Sequence, residues 1–307
     1  MLPAFSWRGR VVRSLVLGRG MVAPTRNDDA GPSLLSASLP PHMRNLRPIA
    51  AIISTPIRTR SIVVCLADEG GRMVAVAKAG FRPEADASIR RQINALGSSE
   101  VRGKAPELLG AFEIEGRPAF VTSYVEGKPG STSMAGIDEA LSLQLDAREQ
   151  APRWSAVEHP WLRRVCIAAD LNHEEIAADL PGTWPEVRIH GDLAPWNIVR
   201  ERDGNVLAID WGASEPDALP GVDLALYAAI SARSFRSSTP SHAGTIAVQA
   251  LVSRLGFTPV SARAIVLLAA ASRSPFEYNY DGARFWGDVA AALLHEGREP
   301  AEDVQAT

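Results

Sequence analysis

The sequence predicts an α+β fold in two lobes, an antiparallel β-sheet carrying one helix and then a mainly helical half. Three observations predict it. Short β-branched runs crowd residues 49–125, one helix-spaced segment interrupts them, and helical spacing takes over after Gly127-Lys-Pro-Gly130.

Ile49–Ile53, Ser61–Ala67 and Met73–Ala79 read as three strands, the last two joined through the turn signal Asp68-Glu-Gly-Gly-Arg72. Ala85–Leu96 places apolar residues at 85, 89, 93 and 96, one face of a helix. Leu108–Glu113 and Ala119–Val125 form another strand pair, turning at Glu115-Gly116. Ile137–Glu149 and Pro160–Asp179 are expected to be helical; a hairpin at 198–209 interrupts, and helices resume from Asp223. No internal repeat is visible. The expected division is a flexible extension over 1–45, a sheet lobe over 46–127 and a helical lobe over 128–307, with a cleft between the lobes.

Bulk properties narrow the classes of function. The 307 residues are 46% hydrophobic and 22% charged, ordinary values for a folded chain that can fill two cores. A formal net charge of -3 gives no basic field, so neither nucleic acid nor an anionic membrane is an expected partner. Cys65 and Cys166 lie in apolar runs and read as buried free thiols, not a disulfide or a metal cluster. No stretch reaches the ~20 apolar residues of a membrane-spanning helix, and a cytoplasmic protein is expected. The start is basic, with Arg8, Arg10, Arg13, Arg19 and Arg26 and no acid before Asp28. That resembles a transit peptide, but Arg13 and Ser14 break its apolar run. An extension, or residues ahead of a later start at Met21 or Met43, is the preferred reading.

The chemistry concentrates in Ile189-His-Gly-Asp-Leu-Ala-Pro-Trp-Asn-Ile-Val199 and Val206-Leu-Ala-Ile-Asp-Trp-Gly212. Arg202-Asp-Gly-Asn205 between them is a tight-turn signal, and an antiparallel hairpin brings its outer ends side by side. Asn197 and Asp210 stand at those ends. An amide oxygen beside a carboxylate suits Mg²⁺, a hard ion that takes few protein ligands and shares the rest with phosphate. Asp192, on the loop entering the hairpin, is placed to orient an attacking hydroxyl and accept its proton.

His190-x-Asp192-x-x-x-x-Asn197 followed by Asp210-Trp-Gly resembles the catalytic loop and metal-binding aspartate of the protein-kinase-like fold. Gly191 and Trp211 make it similar to the aminoglycoside phosphotransferase and choline kinase families, the small-molecule branch. Protein kinases usually carry Arg in place of Gly191 and Phe in place of Trp211, and no Ala-Pro-Glu segment follows Asp210. The resemblance runs from about 50 to 230 and implies ATP and Mg²⁺ as cofactors and a small-molecule hydroxyl as acceptor. It makes Asp192 catalytic, and Asn197 and Asp210 the metal ligands. His190 reads as a core histidine bracing the loop, and Asp223 as a structural acceptor for the loop or a helix cap.

The resemblance also places Lys78, in Val74-Ala-Val-Ala-Lys78, as the lysine that binds ATP phosphates. Its partner is usually a glutamate. Here the helix puts Gln92 at that position, and Ile89, Ile93 and Leu96 set Gln92 off the most apolar stripe; Glu84 is the alternative partner. The phosphate loop expected at Ser54–Ser61 has no glycine, leaving Ser54, Thr55, Ser61, Arg58 and Arg60 as phosphate contacts or as a solvated hairpin tip. Ser123 and Tyr124 occupy the hinge position at which backbone groups bind adenine. Phe276-Glu-Tyr-Asn-Tyr-Asp281 is either an acceptor site or helix-end packing.

Two readings follow. One is an active ATP-dependent kinase of a small alcohol, such as a sugar, an amino alcohol or an aminoglycoside-like compound. The other is a catalytically reduced nucleotide-binding scaffold of the same fold, suggested by Gln92 and the glycine-free loop. Lys78, Asp192, Asn197 and Asp210 are all present, which favours the enzyme.

Overall fold

Strands β1 (Arg47–Ile53), β2 (Ser61–Ala67) and β3 (Met73–Gly80) pair antiparallel in sequence order. These elements come from a computed structural model that describes residues 38–53, 61–80, 82–131, 135–147, 151–236, 238–273 and 280–296. The phosphate-loop candidates from Ser54 to Arg60 and the aromatic cluster at 276–279 therefore lie outside the described residues, as does most of the expected extension.

The helix α1 (Asp86–Leu96) follows β3, and then the hairpin β4 (Leu108–Ile114) and β5 (Arg117–Ser123). The hairpin joins the meander through β5, giving a five-stranded antiparallel sheet in the order β1-β2-β3-β5-β4. Its tight turn is made by Glu115 (φ 51) and Gly116 (φ 77), both left-handed. The sheet's core holds Leu66, Ala75, Ala77 and Val121, and also Leu39 and Met43. The stretch read as an extension thus ends in core residues. A 3-10 turn at Pro41–Met43 brings the two apolar side chains in, and so short a segment shows no periodicity.

After β5 the chain crosses as β6 (Lys128–Pro129) onto β10 (Ile198–Arg200), which pairs with β11 (Val206–Ala208). Gly127 allows this crossing, because a Cβ there would run into the Arg200 carbonyl and the Val199 side chain. The chain groups into two compact units: the described residues up to Gly130 with Trp196–Ser214, and Ser131–Pro195 with the residues from Glu215 on. The hairpin with Asn197 and Asp210 at its ends thus belongs with the sheet.

The second unit begins with α2 (Ala135–Ser142), which stops short of the expected 137–149. Leu143 and Leu145 are both buried with Gln144 between them half-exposed, a two-residue period that no helix continues. After β7 (Arg153–Ser155), the helix expected over 160–179 is broken into α3 (Pro160–Ala168) and α4 (His173–Ala178). Asp170 turns the chain at φ 53, and the Asn172 side chain caps the N–H groups of Glu174 and Glu175. Three short strands follow: β8 (Thr183–Pro185) pairs with β7, while β9 (Val187–Ile189) pairs with β12 (Glu215–Ala218). They are too short to leave a pattern in the sequence. Arg164 holds β12 by pairing with Asp217 and Glu215. The four closing helices are α5 (Val222–Arg236), α6 (Pro240–Leu255), α7 (Pro259–Arg273) and α8 (Tyr280–Glu296). Of these, α5 and α7 are the most buried, with Leu224, Leu226 and Ala229 of the one and Ile265, Leu268 and Ala270 of the other fully buried.

Candidate active site

In the sheet unit, the Lys78 ammonium lies 2.7 Å from Asp210 Oδ1 and donates to Gln92 Oε1 at 3.2 Å. Lys78 comes from the middle of the sheet, between β2 and β5, so its side chain is largely buried, at 14% exposure. A buried ammonium needs compensating acceptors, and these two residues supply them. The partner question is settled in favour of Gln92, which is itself buried. This corrects the helix register read from the sequence: Gln92 shares the inner face with Ile89, Ala95 and Leu96, whereas Ile93 is only half-buried. The face of α1 is chosen by what the sheet and the turn after Asp210 present, not by its most apolar stripe.

Asp210 sits at the end of the hairpin in a left-handed conformation (φ 66, ψ 59), followed by a 3-10 turn at Trp211–Ala213. Trp211 is buried and its indole N–H donates to the Ala208 carbonyl at 2.8 Å. The turn between the strands is as the sequence predicts. Glu201 N–H donates to the Asn205 carbonyl, and Gly204 takes φ 92. At the hairpin's other end the Ile209 N–H donates to the Asn197 carbonyl at 2.8 Å, which ties Asn197 to the residue before Asp210.

Two residues of α1 escaped the sequence reading. Arg91 Nε donates to the Gly212 carbonyl at 2.9 Å and Ser88 Oγ at 3.2 Å. Ser88, Arg91 and Gln92 fall three and four apart, so one helix face grips both Lys78 and the turn after Asp210. That spacing was visible; its target, a backbone carbonyl, was not.

β5 ends at Ser123, short of the expected Val125, and Tyr124 begins the following segment. Their backbone N–H groups are committed, however, Ser123 to the Glu107 carbonyl and Tyr124 to the Val74 carbonyl, each at 2.9 Å. The Ser123 hydroxyl accepts from the Glu107 N–H at 3.0 Å.

In the helical unit, Asp223 fixes the loop that carries Asp192. Its carboxylate accepts from the His190 N–H at 2.6 Å and the Gly191 N–H at 2.9 Å. Burial pushes the Asp223 carboxyl up, while His190 and the two N–H groups pull it down. His190 is buried and its Nδ1 accepts from the Asp192 N–H at 3.2 Å, the bracing role read from the sequence. Asp192 is one-third exposed and pairs with Arg273 at 3.1 Å, a residue the sequence gave no reason to choose.

Cys65 and Cys166 are free thiols, and burial pushes Cys166 up to about 11. Among the described residues no group of three or more His, Cys, Asp or Glu could hold a metal ion, and no helix is long and apolar enough to cross a membrane.

A sheet carrying a lysine tied to one helix, a hairpin ending in Asp-Trp-Gly, and a His-x-Asp loop braced by a buried aspartate define a protein of the kinase-like fold. Residues 63–242, more than half of the chain, match the family model described as "Phosphotransferase enzyme family", and the chain belongs to that family. A sequence comparison with curated proteins finds no match. Among solved structures, a Plasmodium vivax ethanolamine kinase superimposes with a TM-score of 0.50 at 11% identity, covering 83% of each chain, a likeness of fold. An aminoglycoside-3'-phosphotransferase of type VIII shares 18% identity over 74% of this chain and 94% of its own, with a TM-score of 0.44. An aminoglycoside phosphotransferase from Streptomyces rimosus shares 18% identity over 79% of this chain and 92% of its own, with a TM-score of 0.36.

Proposed function

We propose that the chain is an ATP-dependent phosphotransferase that moves the γ-phosphoryl group to a hydroxyl of a small molecule, a sugar, an amino alcohol or an aminoglycoside-like compound, in the cytoplasm. The observation that carries this reading is the Lys78 ammonium, bonded at once to Asp210 and to Gln92. A lysine so placed is a fixed positive charge beside a carboxylate, the combination that phosphoryl transfer requires for the nucleotide phosphates and their cation. A scaffold needs none of it.

The donor set fits Mg²⁺. Asp210 offers a carboxylate that is 51% exposed and already faces a cation, and Asn197 offers an amide oxygen from the adjoining end of the same hairpin. Two oxygen ligands from the chain suit an ion that completes its shell with phosphate and water. When bound, Mg²⁺ would neutralise charge on the transferred phosphoryl group. Lys78 binds phosphate oxygens and Gln92 keeps the ammonium from swinging away. Asp192, whose backbone N–H is held by His190, accepts the proton of the acceptor hydroxyl. Residues 46–127 take the nucleotide, and the acceptor lies against residues of the 128–307 portion. A formal net charge of -3 is in keeping with a small acceptor and not a nucleic acid.

The test is ADP formation from MgATP against a panel of sugars, amino alcohols and aminoglycosides, with Asp192→Asn as control. Turnover with at least one acceptor is expected, and the control should lose about 10²-fold or more in kcat, the scale of a lost general base. No turnover across the panel, or an Asp192→Asn protein as fast as wild type, defeats the proposal.

A further inference from the structure

We propose that Arg273 is a positioning residue that sets the rotation of the Asp192 carboxylate for hydroxyl attack, a role that rests on the phosphotransfer reading. Three observations carry it. Arg273 Nη2 lies 3.1 Å from Asp192 Oδ1, and Nη1 donates to the Gly191 carbonyl at 3.2 Å, so one guanidinium grips both the catalytic side chain and the peptide before it. A planar fork with two bonds on adjacent groups fixes orientation in a way a single bond does not.

The guanidinium is also buried: Arg273 is 8% exposed. Removing a guanidinium from water is costly unless a carboxylate and carbonyls replace the solvent. It stands at the last position of α7, where the helix dipole favours a cation. The third observation is the loop itself. Between Asp192 and Asn197 it reads Leu193, Ala194, Pro195 and Trp196, none of them cationic, with Leu193 and Ala194 buried. The positive charge beside Asp192 is therefore supplied from a residue 82 positions beyond Gly191.

Three further bonds hold the backbone of this loop. Asp223 holds the N–H groups of His190 and Gly191, and His190 holds the N–H of Asp192. These bonds fix the backbone at the aspartate and do not themselves set its χ angles. With Oδ1 drawn to Arg273, the rotation of the carboxylate is narrowed. Placement of a reacting group within about 1 Å is worth up to roughly 10²-fold in rate.

The test is a cycle of four proteins: wild type, Asp192→Asn, Arg273→Met and the double variant, with Arg273→Lys as a fifth. Arg273→Met should lower kcat by about 10- to 100-fold with KM for ATP unchanged, and Arg273→Lys should recover part of the loss because it keeps the charge without the fork. On the Asp192→Asn background the Met substitution should cost less than about threefold further, because residues that act as a unit are not additive. Losses that multiply in the double variant, or a wild-type kcat in Arg273→Met, overturn the role. If Arg273→Met does not fold, Arg273→Lys on both backgrounds decides by the same non-additivity. Melting temperatures of the same proteins separate the two proposals. Absent turnover with the pair still coupled in melting sinks the phosphotransfer reading, whereas turnover with an uncoupled pair sinks the role of Arg273.

Discussion

The Lys78 ammonium and the Asp210 carboxylate meet at 2.7 Å although they stand 132 positions apart in the chain. The sheet delivers the one and the hairpin delivers the other. On the proposed function, a cation bound at Asp210 would share this carboxylate with Lys78, so nucleotide, metal and lysine would be coupled.

From that coupling, ATP should raise the melting temperature only when Mg²⁺ is present, and Asp210→Ala should abolish the metal-dependent part of the shift. Thermal shifts measured with and without Mg²⁺ check this. Equal shifts under both conditions in wild type would remove Asp210 from the metal site.

Gln92 gives Lys78 a bond to a neutral acceptor where a glutamate would give a charged one. Bonds between charged partners are roughly twice as strong as neutral ones, and here one partner is charged already. Gln92→Glu should therefore preserve or modestly lower KM for ATP, while Gln92→Leu should raise it by a few-fold. Leucine fits the buried inner face of α1, so its effect reports the lost bond and not a lost fold. A wild-type KM in Gln92→Leu would mean that Asp210 alone holds the lysine.

Ser88 and Arg91 anchor the Gly212 carbonyl, and Gly212 has no room for a Cβ because Ser88 Oγ stands in its place. Gly212→Ala should lower the melting temperature and weaken ATP binding. Removing the hydroxyl with Ser88→Ala in that background should restore part of both, since the next obstacle, Asp210 Oδ1, is at an ordinary contact distance of 3.5 Å. A double variant no better than Gly212→Ala would show that the crowding lies elsewhere.

The Asp223 carboxylate accepts from two backbone N–H groups at a buried turn, with Gly191 at φ 76. Leaving a buried donor unsatisfied costs about 1–3 kcal/mol, so Asp223→Ala should lower stability measurably in urea unfolding and reduce kcat more than it changes KM for ATP. An unchanged unfolding midpoint would contradict the bracing role.

Local signals in the sequence were enough for the strands from Ser61 to Ser123, the Glu115-Gly116 turn, the Arg202–Asn205 turn and the His190–Asn197 loop. Each is a short-range matter of β-branched runs, left-handed glycines and motif spacing, and such preferences act through neighbours along the chain. What tertiary structure decided has the opposite character. The inner face of α1, with Gln92 on it, depended on a lysine and a carbonyl from other elements. The end of α2 and the break between α3 and α4 depended on burial and capping. The grouping of the 198–209 hairpin with the sheet came from its pairing with Lys128–Pro129. Arg273 leaves no trace in the motif it serves, because an arginine closing an apolar helix looks like any solvated helix end until the fold buries it against Asp192.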